Sequence, residues 1–175
     1  TEGSVSGGSY GLRQSTSGTT NISGGTISGT SGDIYFESGD KGRDGTFTVI
    51  GEIPFEKVDF NLVMATSYPD IDFTKAKIGN GKKLKLTISK NATVDTTLKL
   101  FELSKANYRD ILQNTELQIS GFTPIFVIDN KSVEAESADV YVYWSNASNN
   151  PRRVRYYKAI SDTEPLYEEY LTNGS

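Results

Sequence analysis

The chain has 175 residues, 35% of them hydrophobic, with a net charge of -4 and neither cysteine nor histidine. That length supports one core-forming domain plus an extension, and the acidic balance argues against nucleic acid as a partner. No run of about 18 apolar residues is present, so no membrane span is expected. Without cysteine or histidine there are no disulfides, no thiol chemistry, and neither the commonest metal ligand nor the commonest general base at neutral pH, so no enzyme activity is expected.

The first stretch, residues 1–33, is built almost entirely from Gly, Ser and Thr, with Val5, Tyr10, Leu12, Ile22 and Ile27 as its large apolar side chains. Such a segment buries too little apolar surface to offset its own ordering entropy, and Thr1 reads as a mature N-terminus. The expected division is therefore a leader over 1–32 and a folded domain over 33–175. An exposed leader of this kind is expected to be held as a β-strand by a neighbouring molecule. With period-2 alternation, Tyr10, Leu12, Gln14, Thr16, Gly18, Thr20 and Ile22 would share the face of such a donor strand.

From Asp33 onward, short alternating runs are separated by Gly, Asn, Asp and Pro. Asp33–Glu37, Thr46–Ile50 and Val58–Met64 read as strands. Leu84, Leu86 and Ile88 alternate with Lys85, Thr87 and Ser89, and Leu98 and Leu100 flank Lys99; with loop residues 90–95 between them, the two runs predict an antiparallel hairpin. Ser104 is expected to cap a short helix over Lys105–Gln113. Glu116–Ser120, Pro124–Asp129, Ala138–Trp144 and Arg153–Ile160 complete a set of eight or nine strands. The fold class expected is all-β, an antiparallel β-sandwich of jelly-roll or Ig-like type with one short helix and an extended N-terminal strand.

Few residues in this pattern carry chemistry. The loop Ser38–Gly45 has neither Walker A spacing nor the carboxylate ladder of an EF-hand, and reads as a charged hairpin loop. Carboxylates gather at Asp70 and Asp72 and again at Asp129, Glu134, Glu136 and Asp139; oxygen ligands suit Ca²⁺, the one cofactor such a chain favours, with solvated loop acids as the alternative. Arg152–Lys158 lies near Tyr141, Tyr143 and Trp144 in sequence, and Tyr141, Tyr143 and Arg155 are the candidate glycan contacts, against a strand with one core face and one wet face. The acidic tail Asp162–Leu171 is free to lie along the domain or to meet the basic strand of a neighbour.

Five sequons begin at Asn21, Asn91, Asn130, Asn146 and Asn173, where composition alone gives roughly two or three. An extended polar leader, a cysteine-free β domain and scattered sequons together resemble the subunits of extracellular filaments assembled by donor-strand complementation, such as archaeal threads and, more distantly, bacterial pili. The resemblance implies a glycosylated cell-surface protein whose N-terminal strand fills a groove in an identical subunit, building a homopolymer. On the order of ten backbone hydrogen bonds at a net ~1 kcal/mol each would hold the joint. Two alternatives stand beside it: a carbohydrate-binding module, and the receptor-binding head of a viral or phage spike whose leader winds into a trimeric stalk.

Overall fold

The computed structural model describes residues 3–14, 18–37, 45–62, 69–90, 96–119, 123–129, 137–145, 153–157 and 167–170. The strands β1 (Ser4–Gly7), β2 (Tyr10–Gln14) and β3 (Thr19–Ile22) follow one another as three sides of a coil. The next coil, β4 (Thr26–Gly29), β5 (Gly32–Glu37) and β6 (Thr46–Glu52), lies on the first strand for strand: β4 on β1, β5 on β2 and β6 on β3, all parallel. In the third coil the first side shortens to Ile53–Phe55, where the Pro54 carbonyl accepts the Ile27 N–H at 2.9 Å. That coil continues as β7 (Lys57–Leu62) and β8 (Asp70–Lys77), and the fourth supplies β9 (Leu84–Lys90) and β10 (Thr96–Ser104). A short helix, α1 (Tyr108–Gln113), then precedes β11 (Thr115–Ile119) and β12 (Thr123–Asp129).

The result is a β-solenoid. One sheet, in the order β11-β9-β7-β5-β2, is parallel throughout. The eight-stranded sheet is parallel across β3, β6, β8 and β10, and then changes character. There β13 (Ser137–Ser145) runs antiparallel between β10 and β12, β14 (Arg153–Tyr157) runs parallel to β12, and β15 (Tyr167–Tyr170) runs antiparallel to β14. The antiparallel sandwich expected from the sequence is thereby corrected. The expected hairpin is corrected too, because β9 sits between β7 and β11 in one sheet and β10 between β8 and β13 in the other. The physical reason is common to both. Parallel sheets are usually covered on both faces and read as continuous apolar runs, whereas a coil has an inside and an outside, so its parallel strands alternate just as one-sided antiparallel strands do.

The inside is filled by ladders, one residue per coil. Leu12, Ile34, Val58, Leu86 and Leu117 stack in register across the five-stranded sheet, and beside them run Gln14, Phe36, Phe60, Ile88 and Ile119. Phe36 and Phe60 stack at 5.1 Å and 20°, Phe36 meets Phe47 edge-on at 5.0 Å, and Phe73 stacks on Phe101 at 5.2 Å. These side chains are almost wholly buried, each worth about 1.5–3 kcal/mol of transfer free energy. At the end of its ladder, buried Gln14 donates through Nε2 to the Gly18 carbonyl at 2.8 Å and accepts from the Thr20 hydroxyl, so its amide is satisfied.

Several glycines of the first two coils have a packing cause. At the first corner the coils approach so closely that a Cβ on Gly11 would lie 2.7 Å from the Ser28 carbonyl oxygen, and one on Gly29 would lie 2.6 Å from the Tyr10 Cα. Backbone ladders to the second coil, with burial of Ile22 and packing of Leu12 against the core, offset the ordering cost of the first coil. The boundary expected at residue 32 falls at the start of β5.

The helix begins three residues later than expected, because Asn107 and not Ser104 stands at its start. The Asn107 side chain is committed elsewhere, donating to the Phe73 and Ala76 carbonyls at 2.8 Å each and accepting the Ser104 N–H at 2.8 Å. It thereby ties the end of β8 to the end of β10. No helix among the described residues is long and apolar enough to cross a membrane.

Candidate functional site

On the outer face of the five-stranded sheet, the parallel register places one outward residue of each coil in line. One row runs Arg13, Tyr35, Asp59, Thr87 and Gln118, and its neighbour runs Glu37, Asn61 and Ser89. A solvated sheet face is ordinarily a mixture of charges and small polar groups. Here two tyrosines meet on it, with ring centres 4.8 Å apart and planes at 46°. Tyr10 donates its hydroxyl hydrogen to Asp59 Oδ2 at 2.8 Å, and Asn61 Nδ2 donates to the Tyr35 oxygen at 2.5 Å. The Arg13 guanidinium lies over the Tyr35 ring at 4.8 Å and stands 3.7 Å from Glu37 Oε1.

Local sequence makes this possible. Tyr10 opens β2 in register with Gly32, which has no side chain, so the ring lies across Gly32 and reaches the third coil. A Cβ at Gly32 would stand 2.8 Å from the Tyr10 ring and 3.1 Å from Asp59 Oδ2. Burial, followed by donation to Asp59 and the carboxylate's charge, pushes the Tyr10 hydroxyl up to about 12. Tyr10 therefore stays protonated at physiological pH and holds Asp59 in one orientation, with further lone pairs of the carboxylate left to accept from a ligand.

Tyr10, Tyr35, Asp59, Asn61, Thr87 and Ser89 line an open groove of about 260 Å³. That is below the ~300 Å³ at which drug-sized pockets begin, so a longer ligand would lie along the open face rather than sink into it. It combines apolar ring surface, a fixed acceptor, an amide and two exposed hydroxyls. Among the described residues that line it there is a carboxylate and no cation.

The residues singled out from sequence lie elsewhere or join only in part. Of the donor-strand set, Tyr10, Leu12 and Gln14 belong to β2, paired with β5 of the same chain, while Thr20 and Ile22 belong to β3, paired with β6; Thr16 lies outside the described residues. Asn21 is an exposed residue of β3, and Asn91, Asn130, Asn146 and Asn173 lie outside the described residues. Tyr141 and Arg155 stand in one row across β13, β12 and β14, opposite Val127 from either side, and Tyr143 is two residues along β13 from Tyr141. The acidic tail meets the basic strand within the chain, Glu168 opposite Arg155.

Of the acidic clusters, Asp70 and Asp139 flank Lys99 at 3.6 and 2.8 Å, and Asp72 accepts from the Thr74 backbone and hydroxyl. Glu134 and Glu136, like the Ser38–Asp44 part of the charged loop, lie outside the described residues. Among the described residues no group of three or more acidic side chains is placed to hold a metal ion.

Sequence reasoning missed Tyr35, Asp59, Asn61, Thr87 and Ser89 as a site. The available signal was an echo: Ser4-Val5-Ser6-Gly7 recurs as Thr26-Ile27-Ser28-Gly29, and the same offset carries Leu12 to Ile34. Comparison with models of known protein families, with curated proteins and with solved structures finds no match.

Proposed function

We propose that this chain is a non-catalytic, glycan-binding domain of an extracellular fibre or spike. One observation carries the reading: a tyrosine pair, a carboxylate fixed by one of the two hydroxyls, and an amide line an open groove on the outer face of the sheet. A sugar ring offers an apolar C–H face to an aromatic side chain and hydroxyls at its rim to carboxylate and amide groups. A nucleotide or other anionic ligand would instead meet Asp59 and a chain of net charge -4. Hydrolysis of a glycosidic bond normally uses two carboxyl groups flanking it, and among the described residues Asp59 is the one acid lining this groove. The five sequons support a secreted, glycosylated, cell-surface setting.

The test is a glycan array probed with the full chain and with Tyr35→Ala. Binding of a discrete set of neutral glycans by the wild type, lost in Tyr35→Ala, is the expected result. No glycan bound, or binding unchanged in Tyr35→Ala, would refute it.

A second reading, assembly of identical copies, rests on a different observation. Among the described residues β1, β2 and β3 are each last in their sheet, so three parallel ladder edges open in the same direction. A strand added to these edges would extend the coil from one molecule to the next, a joint that does not close on itself. Light scattering and negative-stain microscopy of the full chain should show rods that lengthen with concentration. A monomer at every concentration would remove this reading and leave the first intact.

A further inference from the structure

The groove has a direction as well as a chemistry. Its polar lining follows the coil axis: Tyr35 is contributed by β5, Asp59 and Asn61 by β7, Thr87 and Ser89 by β9, each strand one step of ~4.8 Å beyond the last. That step is close to the advance of one ring in an extended β-linked pyranose chain. A helical, α-linked chain would curve away from so straight a row. A ligand lying across the coils would leave the groove within one ring, because each strand contributes at most two polar residues to its lining.

Resting on the glycan-binding reading, we infer that the ligand is a linear, uncharged, β-linked oligosaccharide laid parallel to the coil axis, one ring per coil, over three rings. The first ring packs against Tyr35. The second presents its hydroxyls to Asp59 and Asn61. The third meets the hydroxyls of Thr87 and Ser89, which are exposed and so positioned to hydrogen-bond at the far end. The Arg13–Glu37 pair stands beside the first ring and is internally neutral, so it does not recruit an acidic sugar.

The length series decides it. Cello-oligosaccharides and chito-oligosaccharides of one to six rings, malto-oligosaccharides as α-linked counterparts and oligogalacturonate as an anionic one are titrated into the full chain by calorimetry. Within the bound β-linked series, affinity should rise about two- to tenfold with each ring up to three, the worth of one net hydrogen bond per ring, and then level off. The double variant Thr87→Ala, Ser89→Ala should flatten the curve after two rings, and circular dichroism should show it folded, since both positions are on the wet face. Affinity independent of length, a preference for malto-oligosaccharides or oligogalacturonate, or a curve unchanged by the double variant would overturn the axial assignment while leaving glycan binding standing. Failure of every sugar to bind would overturn both.

Discussion

Removing the carboxylate of Asp33 should loosen the seam between the second and third coils. Asp33 follows the first residue of β5 and is 9% exposed. Its Oδ2 accepts the N–H groups of Glu56 and Lys57 at 2.8 and 2.9 Å, and Oδ1 accepts the Gly29 N–H at 3.3 Å. Three backbone donors from two coils thus converge on one side chain. Asp33→Ala leaves the two close donors without that acceptor, at about 1–3 kcal/mol each when buried. Since Glu56 and Lys57 have exposed side chains, water regains part of this, and the expected loss is about 2–4 kcal/mol. Asp33→Asn keeps one acceptor oxygen and should lose about half as much. Urea unfolding followed by circular dichroism measures both, with the midpoint falling at an unchanged slope. A loss below about 0.5 kcal/mol for Asp33→Ala, or a larger loss for Asp33→Asn than for Asp33→Ala, would refute the view that this carboxylate clasps the coils.

Phe60→Ala, which removes a ring 1% exposed and stacked on Phe36, should destabilise by about 3–5 kcal/mol in the same assay. Asn107→Ala strips two close carbonyl contacts and one N–H contact from the β8–β10 tie, and should cost about 2–3 kcal/mol, with faster amide exchange at Ser104. Gly32→Ala should displace the Tyr10 ring and weaken oligosaccharide binding more than it weakens the fold, read by calorimetry beside a melt. The Tyr10 hydroxyl is held protonated in the folded chain up to about 12, against 10.0 unfolded. Its contribution is therefore complete below pH 10 and is lost as pH rises toward 12, because the folded state then holds a proton that the unfolded state has released. Allowing for screening at a half-buried site, this amounts to about 1 kcal/mol. Unfolding midpoints between pH 9 and 11.5 should fall more steeply for the wild type than for Tyr10→Phe.

Strand positions were legible because each side of a coil alternates. Leu84, Leu86 and Ile88 are buried and Lys85, Thr87 and Ser89 exposed, as their spacing says. Strand direction was not legible, since the same alternation serves a one-sided antiparallel sheet and a coil. The glycine-rich start hid its coils through composition: residues such as Gly11 and Gly29 are small because the first two coils touch there. The groove was hidden for a related reason. Tyr10, Tyr35, Asp59 and Ser89 come from four strands, and only a parallel register brings them together. The echo of Ser4–Gly7 at Thr26–Gly29 carries Arg13 onto Tyr35 at the same offset, but the steps from Tyr35 to Asp59 and from Asp59 to Thr87 are longer, so it reaches only the first rung of the row.

The most direct measurement is an amide and side-chain chemical-shift map of the full chain titrated with a neutral β-linked trisaccharide. Shifts concentrated at Tyr10, Tyr35, Asp59, Asn61, Thr87 and Ser89, saturating together, are what a glycan-binding groove on this sheet predicts. Shifts centred on Tyr141 and Arg155, or none at any concentration, would contradict it.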